Sequence, residues 1–308
     1  MVKLEQVVKI FKSDLLAQPF VALDKVSFNI PDGSLVGFLG ANGAGKTTSL
    51  KIIMDFIRAD SGEVIFSPSL GNTRSEILKR VGFLPERPYF YPNLNGDEFL
   101  NMLGTLSETP KSVLQPRIKH WSQVFSIDHA LKRPLKTYSK GMLQRIGFLA
   151  AILHDPEFVI LDEPLSGLDP VGRKGLKDVI SDLHKKGKTI FFSSHVVPDI
   201  EEICDRVIFL EKGKLVYDGS VQNLIHSSPN AEIAIKIKGH RETVENILKG
   251  EGLIKSWDDL GSDYQSIKVS VESKQKMLSL LVSHSIDIVS LDIEKPTLEE
   301  IFYKIKNK

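Results

Sequence analysis

The sequence predicts an α/β protein of two domains, a large one built on a parallel sheet and a small α+β one after it. Three observations predict it. Short apolar runs free of charge, Leu35–Leu39, Phe158–Leu161 and Thr189–Phe192, each stop at glycine, acidic or hydroxyl residues, as strands buried on both faces do. A glycine-rich segment joins the first run to a helical stretch. Beyond residue 230 the pattern changes to the order strand, helix, strand, strand, helix, strand, the ferredoxin-like arrangement. The 308 residues suit one large domain and a smaller one.

From the N-terminus, Val2–Phe11 and Val26–Ile30 read as strands, followed by a turn at Pro31-Asp32-Gly33. Thr47–Phe56 reads as a helix, and Val81–Leu84 as a strand ending at Pro85. From Arg87 to about Leu135 the period is helical, with breaks expected at Pro88, Pro92, Pro110, Pro116 and Pro134. Gly141–Leu153 is an apolar-rich helix. Val207–Leu210 and Lys214–Tyr217, split by Lys212-Gly213, read as a hairpin. The polar stretch 226–230 is the expected linker, which gives domains over 1–226 and 231–308. In the second domain, strands are expected over Ile233–Ile237, Leu253–Trp257, Ser266–Val271 and Asp287–Leu291. Helices are expected over Thr243–Leu248 and Lys274–His284. A last helix starts at Thr297, with Glu300 three residues on as a capping box.

Composition narrows the function classes. Forty Lys and Arg balance 39 Asp and Glu, so the charge footprint of a nucleic-acid binder is missing and no nucleic acid is expected as partner. The single cysteine, Cys204, allows no internal disulfide and follows the apolar pattern of Ile200, Ile203 and Val207. No apolar run reaches the ~20 residues that cross a bilayer. The N-terminus alternates Val2-Lys3-Leu4-Glu5, a strand pattern rather than a secretory leader. Any membrane role is expected to come through a separate chain.

Gly40-Ala41-Asn42-Gly43-Ala44-Gly45-Lys46-Thr47 fits G-x-x-x-x-G-K-[ST] between a strand and a helix, with Thr48 after it. The glycines let N–H groups converge on phosphate oxygens, and the helix N-terminus adds a positive dipole end. Lys46 supplies a charge to the β- and γ-phosphates, and Thr47 a hydroxyl to Mg²⁺. The strand Phe158–Leu161 delivers Asp162 and Glu163 at its end, where ligands sit in α/β sheets. Asp162 is placed to hold Mg²⁺, and Glu163 to polarise an attacking water as general base. His195 closes another such strand and can point at the same γ-phosphate.

Further along, Tyr138-Ser139-Lys140-Gly141-Met142-Leu143-Gln144-Arg145 resembles the signature motif of ABC-type ATPases, Ser166-Gly167-Leu168-Asp169 their D-loop, and Ser194-His195 their switch histidine. Five motifs stand in the family's order over residues 36–195. The resemblance implies a cassette with a RecA-like core sheet, an antiparallel β subdomain and a helical subdomain at about 87–150. It implies ATP and Mg²⁺ as cofactors, and a homodimer packed head to tail. Each ATP would lie between the phosphate loop of one subunit and Ser139, Gly141 and Asp169 of the other. It also implies a transmembrane permease subunit as partner, and a place on the cytoplasmic face of the inner membrane.

Two positions depart from the family's commonest pattern. The signature has Lys140 and Met142 where Gly and Gln are usual, and the Q-loop position carries Glu86 where Gln is usual. Glu86 can still accept from metal-bound water and adds a negative charge. These variants, with the ending Pro296-Thr297-Leu298-Glu299-Glu300-Ile301-Phe302, resemble the branch that exports drugs, lipids, polysaccharides or ions. An aromatic before the first core strand stacks on adenine in the family. Phe11 is expected in that role, with Phe20 the alternative. Tyr89, Phe90, Tyr91 and Leu94 form an aromatic cluster suited to docking a permease or to local packing. Three other functions compete: an importer ATPase, a soluble ABC ATPase acting on ribosomes or DNA, and a non-catalytic ATP sensor. The chain has one cassette, no heptad tract and no zinc cluster, which disfavours the second. Intact Lys46, Asp162, Glu163 and His195 disfavour the third.

Overall fold

The computed structural model describes residues 1–12, 19–226, 232–239, 244–245, 252–261, 263–294 and 297–306. The chain divides into two compact units, Met1–Ser220 and Val221–Lys308.

The first unit is built on a six-stranded sheet. Its strands are β3 (Leu35–Leu39), β5 (Val81–Leu84), β6 (Phe158–Leu161), β7 (Thr189–Ser194), β8 (Arg206–Glu211) and β9 (Lys214–Ser220). Their spatial order is β5-β6-β7-β3-β8-β9. The first five run parallel and β9 returns antiparallel from the expected hairpin. Every residue of β3, β6 and β7 is buried, which is why those runs carry no charge.

A second, antiparallel sheet has the order β2-β1-β4, from β1 (Val2–Phe11), β2 (Phe20–Ile30) and β4 (Ser61–Phe66). The rings of Phe28, Phe38 and Phe191 join the two sheets, with centroids 4.9 to 5.9 Å apart. Burying each ring contributes roughly 1.5–3 kcal/mol. The strand expected over Val26–Ile30 begins six residues earlier, because β1 pairs with it out to Phe11 opposite Phe20.

Helices α3 (Gly96–Leu106), α4 (Lys111–Val124) and α5 (Lys140–Ile152) pack on one another, and α5 also packs on β5. The break expected at Pro116 does not occur, and α4 runs through it. Proline removes one N–H bond near the helix start. The carbonyl left free, that of Ser112, belongs to an exposed residue and is open to water.

In the second unit, α8 (Val221–His226) precedes a four-stranded antiparallel sheet. Its strands are β10 (Glu232–Lys238), β11 (Ile254–Gly261), β12 (Tyr264–Ser270) and β13 (Asp287–Glu294) in the order β11-β12-β10-β13. Numbered within the unit this is 2-3-1-4, with a helix over Lys274–Ser283 between the last two strands. Ile233, Ile235, Ile237, Ile267 and Val269 build its core with Met277 and Leu281 of that helix. The helix expected over Thr243–Leu248 and the linker residues 227–230 lie largely outside the described residues. The last helix covers Leu298–Lys306. The Thr297–Glu300 capping box is formed in both directions, at 3.3 and 3.2 Å.

Candidate active site

The C-terminal ends of β3, β5, β6 and β7 deliver Gly40, Glu86, Asp162 and His195 to one edge of the parallel sheet. A cleft of about 490 Å³ opens there. Its walls include Asn42, Gly43, Gly45, Lys46, Thr47, Thr48, Glu86, Glu163 and His195. Gly40, Ala44 and Asp162, expected at the same site, are not on that wall.

Gly45 stands at the N-cap of α1 (Lys46–Ile53) with φ +105°, and no side chain caps that helix. A Cβ at Gly45 would lie 2.6 Å from the Ala22 carbonyl, so only glycine brings the loop this close to β2. The first-turn N–H groups are left to an anion. The ammonium of Lys46 is buried and donates to the Gly40 carbonyl at 2.6 Å, with Ala41 O at 3.4 Å. Glu163 Oε1 lies 3.5 Å from the same nitrogen.

Glu163 has φ +51°, an uncommon backbone for a non-glycine residue. Its two carboxylate oxygens have different surroundings. Oε2 meets Nδ1 of His195 at 2.9 Å. Oε1 is buried and has no hydrogen-bond partner, on a cleft wall. Such an oxygen is an acceptor held ready for a ligand's proton.

Asp162 is buried, with 1% of its surface exposed. Burial pushes its carboxyl above the ordinary aspartate range, and the charge of Glu86 adds to that rise. Hydrogen bonds with Ser193 and Thr47 and the charge of Lys46 oppose it. Ser193 Oγ donates to Asp162 Oδ1 at 2.6 Å and accepts from the Glu163 N–H at 2.9 Å. One hydroxyl thus ties the Asp162 carboxylate to the Glu163 backbone. The carboxylates of Asp162 and Glu86 and the hydroxyl of Thr47 line one pocket and form a hard-oxygen set that suits Mg²⁺. Among the described residues no group of three His, Cys, Asp or Glu could hold a metal ion by itself. A cation here would complete its shell from phosphate and water oxygens.

Phe11 and Phe20 face each other in the β1–β2 register, but Phe20, not Phe11, stands on the cleft wall, with Ala22 two residues on. Phe20 is 57% exposed, an open ring face at the end of the cleft.

Ser139, Gly141 and Asp169 are not on this chain's own cleft wall. Ser139 caps α5, accepting from Met142 N–H at 3.2 Å, and Gly141 sits in that helix's first turn. Asp169 caps α6 (Pro170–Lys185), accepting from Gly172 N–H at 3.2 Å. Sequence reasoning missed the roles of Ser193 and Gln144. Gln144, on α5, donates to the Pro164 carbonyl at 2.9 Å and so ties the signature helix to the loop after Glu163. Lys140, Arg87 and Ser166 also line the cleft.

A glycine-rich phosphate loop, a strand-end carboxylate pair and a strand-end histidine on one parallel sheet define a phosphate-loop ATPase of the cassette type. A family model described as ABC transporter matches residues 23–166. An uncharacterized ABC transporter ATP-binding protein of Synechocystis is 36% identical over 97% of this chain and 82% of its own length. The bacitracin transport ATP-binding protein BcrA of Bacillus licheniformis is 30% identical, covering 92% of each chain. A dimeric cassette solved in a post-hydrolysis state with ADP and Pi superposes with a TM-score of 0.64 at 23% identity, over 72% of this chain and 99% of its own. The chain belongs to the ABC transporter family, as an ATP-binding subunit whose enzymatic activity is ATP hydrolysis coupled to transport.

Proposed function

We propose that this subunit drives export through a separate membrane-spanning permease, and that it hydrolyses two ATP molecules at the interface of a head-to-tail homodimer. The observation that carries hydrolysis is the buried Oε1 of Glu163, which makes no hydrogen bond and has the Lys46 ammonium 3.5 Å away, with Oε2 fixed by His195. It can accept a proton from an attacking water while His195 holds the carboxylate in place.

The remaining residues divide the work. Phe20 stacks on the base. The N–H groups from Gly43 to Thr48 receive the phosphates, and Lys46 exchanges its carbonyl partners for phosphate oxygens. Thr47, Asp162 and Glu86 would hold Mg²⁺, which when bound neutralises phosphate charge. Ser139 and Gly141 lie at the N-terminus of a helix and off their own cleft, which suits them to a second copy's γ-phosphate. ATP then bridges two protomers, and its hydrolysis removes the bridge.

Export is supported by Glu86 and by the Tyr-Ser-Lys-Gly-Met signature, the variants that resemble the exporting branch. No helix among the described residues is long and apolar enough to cross a membrane. The permease would therefore supply the transport path and hold this subunit at the cytoplasmic face of the inner membrane.

Lys46→Ala is expected to abolish ATP hydrolysis. Glu163→Gln is expected to bind ATP, hydrolyse it slowly and remain dimeric by light scattering. A Glu163→Gln monomer at saturating ATP would refute the dimer mechanism. The permease is tested by co-purification from detergent-solubilised membranes, where recovery without a polytopic membrane protein would count against it.

A further inference from the structure

A charge cluster around one buried carboxylate takes no part in the chemistry described above. Asp199, on α7 (Val197–Ile203), has a side chain only 4% exposed. Arg173 of α6 donates through Nη2 to its Oδ2 at 2.5 Å. Lys177, one turn further along α6, lies 3.0 Å from its Oδ1 and also donates to Glu202 of α7. Burial alone would lower the Lys177 ammonium, but its bonds to Glu202 and Asp199 outweigh burial and hold it above the ordinary lysine range. A buried carboxylate gripped by two cations holds its neighbours in one geometry.

One of the two helices joined this way starts beside His195, the other at Asp169, off this chain's own cleft wall. α6 begins at its cap Asp169, whose carbonyl accepts from the Arg173 N–H at 2.9 Å. Val171, in the same turn, is 79% exposed, an apolar residue left on the surface at that end of α6. α7 begins two residues after His195. The Asp199 N–H donates to the Val196 carbonyl at 3.3 Å, and the Val196 N–H to Ser194 Oγ at 3.0 Å. Hydrogen bonds therefore run from Asp169 through Arg173 and Asp199 to Val196 and Ser194, the residues on either side of His195, whose ring meets Glu163.

We infer that Asp199, held by Arg173 and Lys177, is a positioning residue: it fixes His195 against Glu163 and couples that pair to the Asp169 end of α6. A displacement of α6 at Asp169 then changes the rate of hydrolysis without any change in how ATP is held. The inference rests on the ATPase reading above.

The test uses the purified full-length protein. Asp199→Asn keeps the side-chain shape and removes the charge. Its kcat for ATP should fall roughly tenfold to a hundredfold, the scale of a small misplacement of a catalytic group. KM should stay within about twofold, because the binding groups are untouched. In a His195→Ala background, measured by single turnover, the same substitution should add less than about twofold, since the group it positions is gone. A folded Asp199→Asn with wild-type kcat, or one that costs the same factor with and without His195, overturns the inference. Should Asp199→Asn fail to fold, Arg173→Gln makes the same test from a side chain 34% exposed. If the wild type hydrolyses no ATP, or Lys46→Ala hydrolyses it normally, the ATPase reading falls and takes this inference with it. With both controls as expected, failure belongs to the positioning role alone.

Discussion

Ser193→Ala removes a single buried oxygen that serves both acidic residues of the site. Ser193 has no exposed surface, so no water replaces the lost contacts directly. Its donation to Asp162 at 2.6 Å is a bond to a carboxylate, worth about 1.5–3 kcal/mol. Its acceptance from the Glu163 N–H at 2.9 Å leaves, once lost, a donor whose orphaning costs about 1–3 kcal/mol. The two share one atom and do not add fully, so a net loss of about 2–4 kcal/mol is expected. In a cassette of this size each kcal/mol moves the melting temperature by about 2–4 °C. The melt should therefore drop by about 4–16 °C. The chemistry moves as well. The Ser193 bond lowers the Asp162 carboxyl against the rise caused by burial; without it the carboxyl climbs further and protons compete better with a cation. The acid limb of the ATPase pH profile should shift to higher pH, and more Mg²⁺ should be needed for half-maximal rate. Calorimetry gives the first quantity and steady-state ATPase assays give the second. A variant with a wild-type melt and an unmoved acid limb would refute the bridging role.

Phe20→Ala should raise KM for ATP by about tenfold, since base stacking on an aromatic is worth roughly 1–3 kcal/mol, while Phe11→Ala should leave it nearly unchanged; equal effects would remove the distinction between the two rings. Asp162→Asn should abolish Mg²⁺-dependent hydrolysis yet raise the nucleotide-free melting temperature near neutral pH. The sign follows from the raised carboxyl: the folded state binds that proton more tightly than the unfolded chain, so the wild type loses stability as pH climbs from the ordinary aspartate value through the raised one. The stability gap between variant and wild type should accordingly close as pH falls below the ordinary value, and a gap constant with pH would contradict this. Gly82→Ala should cost about 3 kcal/mol or more, because its Cβ would lie 2.1 Å from the Ala151 carbonyl; a urea midpoint equal to wild type would show that α5 can retreat from β5.

The parallel strands could be read from sequence because burial on both faces leaves no polar residue in them. The strand β4 could not: Ser61, Gly62 and Glu63 are all exposed and its inward residues are only half-buried, so neither an apolar run nor an alternation marks it. The phosphate loop and the two acidic residues after β6 were readable because their chemistry demands fixed residue types at fixed spacing. Ser193 was not, since its partners stand 31 and 30 residues away and only the β6–β7 pairing brings them to it. Phe11 and Phe20 share one rung of a ladder, and only the cleft wall, which includes Phe20 and not Phe11, separates them. At Pro116 a local rule gives way instead: α4 runs through it, because an exposed first turn makes the rule inexpensive to break.

The cap on α5 bears on how one hydroxyl can answer to two masters. Ser139 accepts the Met142 N–H through an oxygen lone pair, which leaves its own O–H proton uncommitted to the cap. Accepting a hydrogen bond polarises a hydroxyl and strengthens it as a donor. The capping bond therefore primes Ser139 to donate to an oxyanion that arrives from outside, with the helix start intact. Asp at this position would cap as well but has no proton to give and would repel phosphate, and Ala would do neither. Comparing Ser139→Asp with Ser139→Ala thus separates what the residue does for its own helix from what it offers a neighbour.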